Sequence, residues 1–272
     1  MTRSNSGASA TAAARAAQNS TVFRVLARIG YVVLGILHVL IGVIAISIAT
    51  GGGGEADQGG AMQQIQQTPA GVVLLWVIVL GLVALAIWQV AEAFLEHEPD
   101  TKKKWAYRVK FIGTAAAYLA IAGTALVYAL GGQSESSESS QSFSAQLLAA
   151  PAGVALLVLV GLIVAAIGVA FIVRGMTRAF TKNLDLPAGT VKKGIVTFGV
   201  VGYIAKGIAV AVTGILFVVA AVTHDPETAG GLDAALHALA GLPFGVVILW
   251  VVGAGLVIYG LFCFARARYA KM

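Results

Sequence analysis

Long apolar runs alternate with short polar stretches along this chain. Six of the runs hold about 20 or more mostly hydrophobic residues, enough to cross a hydrocarbon core of roughly 30 Å as a helix. They are Ile29 to Ala49, Gly71 to Ala91, Phe111 to Leu130, Gly153 to Val173, Gly194 to Val222 and Phe244 to Ala265. Lipid offers no partner for backbone N–H and C=O groups, so runs of this length must close their hydrogen bonds internally. The alternation of a barrel strand is absent, and the pattern predicts an all-α polytopic membrane protein with six transmembrane helices.

The spans repeat in pairs. Aligning the even-numbered ones on Pro69-Ala70-Gly71, Pro151-Ala152-Gly153 and Pro243-Phe244-Gly245 gives three units, residues 24–96, 104–180 and 191–269. The odd-numbered spans agree independently: Gly30, Tyr31, Gly35 and Gly42 recur at the spacing of Gly202, Tyr203, Gly207 and Gly214. The middle copy is degenerate, with Phe111 for Tyr31, Ala115 for Gly35, Tyr118 for His38 and Ala122 for Gly42. Before each Pro-x-Gly lies a weakly amphipathic stretch (61–67, 143–149 and 235–241) with Ile65, Leu147 and Leu239 in register. These stretches predict short surface helices, each proline then sitting in the first turn of the following span. Every unit holds two spans, so the repeats are parallel and can close into a pseudo-threefold ring.

Charge sets the expected orientation. Glu55, Asp57, Glu135, Glu138, Asp225, Glu227 and Asp233 lie in three polar loops that hold no Lys or Arg. The opposite ends carry the basic residues, which marks them as cytoplasmic and places both termini there, in a bacterial inner membrane. Residues 1–23 contain Arg3 and Arg15 among Ala, Ser, Thr and Asn, and read as a disordered cytoplasmic tail. With 58% hydrophobic and only 11% charged residues, the net charge of +6 answers to topology and anionic lipid heads, Lys102, Lys103 and Lys104 included, so no nucleic-acid partner is expected. The single Cys263 excludes an internal disulfide.

Glycine-tyrosine with spaced glycines in one span, then Pro-x-Gly opening the next, three times over, resembles the bacterial membrane family called domain of unknown function 1206, common in actinobacteria. The resemblance spans roughly Arg24 to Tyr269. It implies an inner-membrane protein of three tandem two-helix units, and it brings no established activity or catalytic residues.

Ionisable groups within spans are costly and are therefore site candidates. Lys206, in the slot of Leu34, is expected about two turns from the cytoplasmic boundary, where its ammonium can snorkel, with a ligand or ion role as the alternative. His38 is expected to be neutral and bonded to a helix carbonyl or a tyrosine; Tyr118 shares its slot. No second intramembrane histidine is present for a haem, and no cofactor is expected. His224 and His237 match no zinc spacing. Glu92, Arg174 and Arg266 fall at one distance after the three prolines, and a cytoplasmic ring of inter-repeat salt bridges is one reading of them, ordinary boundary charges the other. Gly30, Gly35, Gly42, Gly202, Gly207 and Gly214 are expected to allow close helix packing.

No nucleophile motif, phosphate loop or carboxylate pair stands out, so an enzyme is not expected. The leading expectation is an accessory or scaffold component of a membrane complex, and the rival is a small-solute or ion transporter with a polar cavity between the repeats.

Overall fold

A computed structural model describes residues 20–95 and 101–271, with side chains 101–103 left out. The expected tail falls almost wholly outside these residues, and only its last residues join the first helix. Six long helices match the six spans: α1 (Thr21–Ala49), α3 (Gly71–Leu95), α4 (Thr101–Ala129), α6 (Gly153–Met176), α7 (Thr190–Thr223) and α9 (Gly245–Tyr269). Most continue past the apolar run at the basic end, because a helix that has formed its ladder in lipid keeps propagating through polar residues. Ser20 caps α1 by accepting from the Phe23 N–H at 3.4 Å.

The three expected surface helices are present as α2 (Gln58–Gln66), α5 (Ser136–Leu148) and α8 (Gly231–Ala240). Each meets its span through the same turn. The N–H groups of Gly71, Gly153 and Gly245 donate to the carbonyls of Thr68, Ala150 and Leu242 at 2.9, 2.9 and 2.7 Å. The prolines therefore hold the second position of a β-turn, outside the first helical turn where the sequence placed them, since proline's fixed φ suits that corner. A Cβ on any of the three glycines would run into a carbonyl of the preceding surface helix, that of Ile65, Leu147 or Ala240.

In space the spans form an arc, ordered α4, α3, α1, α9, α7, α6. Each joint between repeats sets the second span of one unit on the first of the next: α3 on α4, α6 on α7 and, closing the cycle, α9 on α1. Within repeats, α1 packs on α3 and α7 on α9, whereas α4 and α6 share no packed interface. The pseudo-threefold plan is thus present at all three joints and broken inside the middle unit. The cause is legible residue by residue. Gly30 lets α1 approach Leu85, and Gly202 lets α7 approach Tyr259, so closely that an added Cβ would lie 2.5 and 2.6 Å from those residues. The middle copy carries Lys110 in that slot and, on the facing span, Ile163 where the other copies have Gly81 and Gly255, so neither helix offers the small residue that such an approach needs.

The glycines at the joints do what the sequence predicts. An added Cβ on Gly35 would meet the Gly260 carbonyl at 2.9 Å, on Gly42 that of Gly253 at 2.5 Å, on Gly207 that of Gly168 at 2.7 Å and on Gly214 that of Gly161 at 2.6 Å. Backbones touch there, which gives van der Waals contact where lipid leaves no hydrophobic gain to be had.

Both ends of the arc are covered. At the acidic end the three loops clasp one another. The Ala56 N–H donates to Asp233 at 2.8 Å, the Gly59 N–H to the Ser136 hydroxyl at 3.1 Å, and the Gln141 amide to the Glu227 carbonyl at 3.0 Å. At the basic end a 3-10 turn, Ala179–Asn183, inserts Phe180, which is only 2% exposed, against Tyr203 and Phe262. That segment is tied to the chain end by the Leu184–Ala270 bridge and by the Asp185 N–H donating to the Tyr269 carbonyl at 2.8 Å.

Candidate functional site

Lys206 and His38, from the third and first repeats, meet at the centre of the arc. The His38 Nδ1 lies 2.7 Å from the Leu34 carbonyl one turn back, and its Nε2 lies 3.1 Å from the Lys206 Nζ. A carbonyl only accepts, so Nδ1 carries the ring proton and Nε2 accepts from the ammonium. The imidazole thus bonds its own helix through Nδ1. Lys206 differs from its expectation. It stands about 24 Å from either end of α7 at 1.5 Å per residue, and its ammonium turns inward onto His38 instead of snorkelling. The reason is that aromatic faces receive the charge: the Nζ lies 4.6 Å from the Tyr259 ring centroid and 5.3 Å from that of Phe171.

His38 also meets the Tyr259 ring edge-on at 4.7 Å between centroids. Tyr118, on α4, packs against the same core and shares an electrostatic neighbourhood with Arg266, Tyr31 and Cys263. The three cavity candidates thus come from three repeats and converge on one region. Tyr259 and Phe171, which complete it, were not singled out from the sequence. Comparison of repeat slots holds their signal: Tyr259 replaces Leu85 and Ile167, and Phe171 replaces Gln89 and Cys263.

In the layer of Glu92, Arg174 and Arg266, both arginines meet tyrosines. The Arg266 guanidinium donates to the Tyr31 hydroxyl at 3.1 Å and lies 4.2 Å from its ring centroid. Arg174 lies 5.6 Å from the Tyr203 ring. Each arginine grips the tyrosine of the following repeat, because the inter-repeat joints bring aromatic faces, not carboxylates, to those two positions.

Two shallow surface depressions lie elsewhere, one lined by Leu184, Leu186 and Tyr269 at the basic end and one by Gln133, Glu135 and Ser139 at the acidic end. Among the described residues no group of His, Cys, Asp and Glu is placed to hold a metal ion. His237 is exposed and lies 3.3 Å from Asp233. In the acidic clasp, Asp57 is 1% exposed and caps α2 by accepting from the Gly60 N–H at 3.0 Å. Burial pushes its carboxyl above the usual range, the Gly60 bond opposes this, and the Asp233 charge adds to it.

Fold and centre together define a polytopic membrane protein of three tandem two-helix repeats around a partly buried lysine–histidine couple. The chain belongs to the family described as Domain of Unknown Function (DUF1206), whose model matches three times, at residues 29–96, 109–178 and 201–270. It is similar to the uncharacterized protein YxxB of Bacillus subtilis (strain 168), with 32% identity over 249 residues that cover 90% of each chain. No solved structure matches.

Proposed function

We propose that this protein is a non-enzymatic accessory or scaffold component that docks a transmembrane helix of another protein on α4. One observation carries the reading. Of the glycines inside the apolar runs, those at the joints are filled by a neighbouring backbone, whereas Gly113 and Gly123 have open space around them, as does Gly194 near the start of α7. Gly113, Ala116, Ala120 and Gly123 share one exposed face of α4, opposite Ala115, Ala122 and Ala125, which are buried on the bundle. Elsewhere in this chain the same small-residue device joins helix to helix. The basic end is proposed to face the cytoplasm, following the retained Lys and Arg.

Cysteine cross-linking in native membranes tests this. Gly113→Cys and Ala120→Cys are expected to trap one defined membrane protein, and Leu156→Cys on the lipid-facing side of α6 is not. Purification without a stoichiometric companion, together with no specific cross-link, overturns the reading.

The position of Lys206 and His38 midway along their helices favours a second reading, translocation of a small solute or ion. It expects substrate-dependent flux in proteoliposomes that Lys206→Leu or His38→Ala lowers.

A further inference from the structure

We propose that the Lys206 centre binds the carboxylate of a single-chain lipophilic acid that enters sideways from the bilayer between α4 and α6. This site is independent of partner docking, for it uses the inward face of α4 instead of the outward one.

Internal comparison of the repeats first marks the centre as more than packing. The glycines that set the joints recur between copies, but four neighbouring slots differ in every copy: Leu34, Thr114 and Lys206; His38, Tyr118 and Val210; Leu85, Ile167 and Tyr259; Gln89, Phe171 and Cys263. Of their polar and aromatic members, His38, Tyr259 and Phe171 gather around Lys206.

Charge then selects the ligand. An ammonium has three donors; one is used on His38, and the rest of the charge meets the faces of Tyr259 and Phe171, neither of which carries a negative charge. Among the described residues no carboxylate forms an ion pair with Lys206. Intramembrane cations are ordinarily matched by an acceptor or an opposite charge. A carboxylate, with two oxygens and one negative charge, is the complement.

Access selects the tail. From the basic end the centre is covered by Phe180 with Tyr203 and Phe262, and from the acidic end by the clasp of three loops. The side is open, because α4 and α6 do not pack and only 22% and 17% of their apolar windows are buried. A ligand that reaches Lys206 by this route must already be dissolved in lipid, and Tyr118 and Phe171 offer it aromatic walls.

The full-length protein in nanodiscs of neutral phosphatidylcholine, titrated with radiolabelled oleate and in parallel with oleyl alcohol, tests the proposal. Oleate is expected to bind saturably, at least about ten-fold tighter than the alcohol, and to raise the Tm by several degrees or so. Lys206→Met is expected to remove that ten-fold advantage while leaving the alcohol unaffected. A photoactivatable oleate analogue, which needs no variant, is expected to label the segments around Tyr118 and Phe171. Oleate binding no tighter than the alcohol overturns the proposal, as does an equal Tm rise with chloride, undiminished binding in folded Lys206→Met, or labelling confined to other segments.

Discussion

Arg266 and Tyr31 join the last repeat to the first, with a 3.1 Å hydrogen bond to the hydroxyl and the guanidinium stacked on the ring. The same reach, one repeat earlier, sets Arg174 over Tyr203. At the third position of the cycle the acid Glu92 replaces the arginine and Phe111 replaces the tyrosine, so both members of the couple change together.

Because Arg266 bonds the hydroxyl of Tyr31 while Arg174 meets only the face of Tyr203, the two tyrosines should respond differently to losing that oxygen. Tyr31→Phe is expected to cost about 1 kcal/mol in a reversible SDS-unfolding titration. Tyr203→Phe is expected to stay within about 0.5 kcal/mol. Equal losses would show that the Arg266 bond carries no weight.

Glycine at the joints is a steric requirement, and glycine on the outward face of α4 is not. Gly42→Ile and Gly214→Ile each force backbones apart and are expected to cost about 3 kcal/mol or more, read as loss of the monodisperse folded peak. Gly123→Ile is expected to fold normally. If all three behaved alike, the contacts at the joints would not be what holds the arc.

The Pro-x-Gly turns separate two backbone effects at adjacent residues. Ala152 has φ +59° and Phe244 φ +62°, a left-handed conformation that costs a side-chain-bearing residue about 1–2 kcal/mol. Ala152→Gly is therefore expected to raise stability by roughly 0.5–1 kcal/mol. Gly153→Ala should lower it, since its Cβ has no room beside the Leu147 carbonyl. Thermal unfolding of the two variants beside the parent decides both signs.

The acidic clasp should tighten in mild acid. Burial raises the Asp57 carboxyl above its unfolded range, and Glu55, facing Asp57, Glu135 and Asp233, is raised by burial and by those charges. A folded value above the unfolded one means that the folded state binds the proton more strongly. The charged forms are then destabilising at neutral pH, and that penalty is lost as pH falls through the folded values. Tm is expected to rise on lowering the pH from about 7.5 to about 5, and Asp57→Asn, which keeps an oxygen for the Gly60 N–H, should flatten the rise. A Tm that falls over this range with or without Asp57 would contradict the sign.

Span number, pairing and the joint glycines were legible because apolar length and residue size act locally in sequence. Pro69, Pro151 and Pro243 gave away the surface helices but not their own place in a β-turn, which depends on where the carbonyls of Thr68, Ala150 and Leu242 point. Lys206 was legible as a candidate and illegible in direction: the register of Leu34 pointed to the boundary, whereas its partners His38, Tyr259 and Phe171 come from three other helices. The Arg–Tyr couples link residues 235 positions apart in one case, and only the cyclic packing of repeats makes them neighbours.

Lys110 has a consequence that reaches past its own contacts. A ring of three like units has no front and no back, and anything at its axis must arrive from one of the two aqueous faces. With glycine at two of the equivalent positions and lysine at the third, the circle becomes a horseshoe with a single mouth, turned toward the hydrocarbon. Together with Ile163 in the facing slot, where the other copies have Gly81 and Gly255, Lys110 gives a symmetric duplication product a direction.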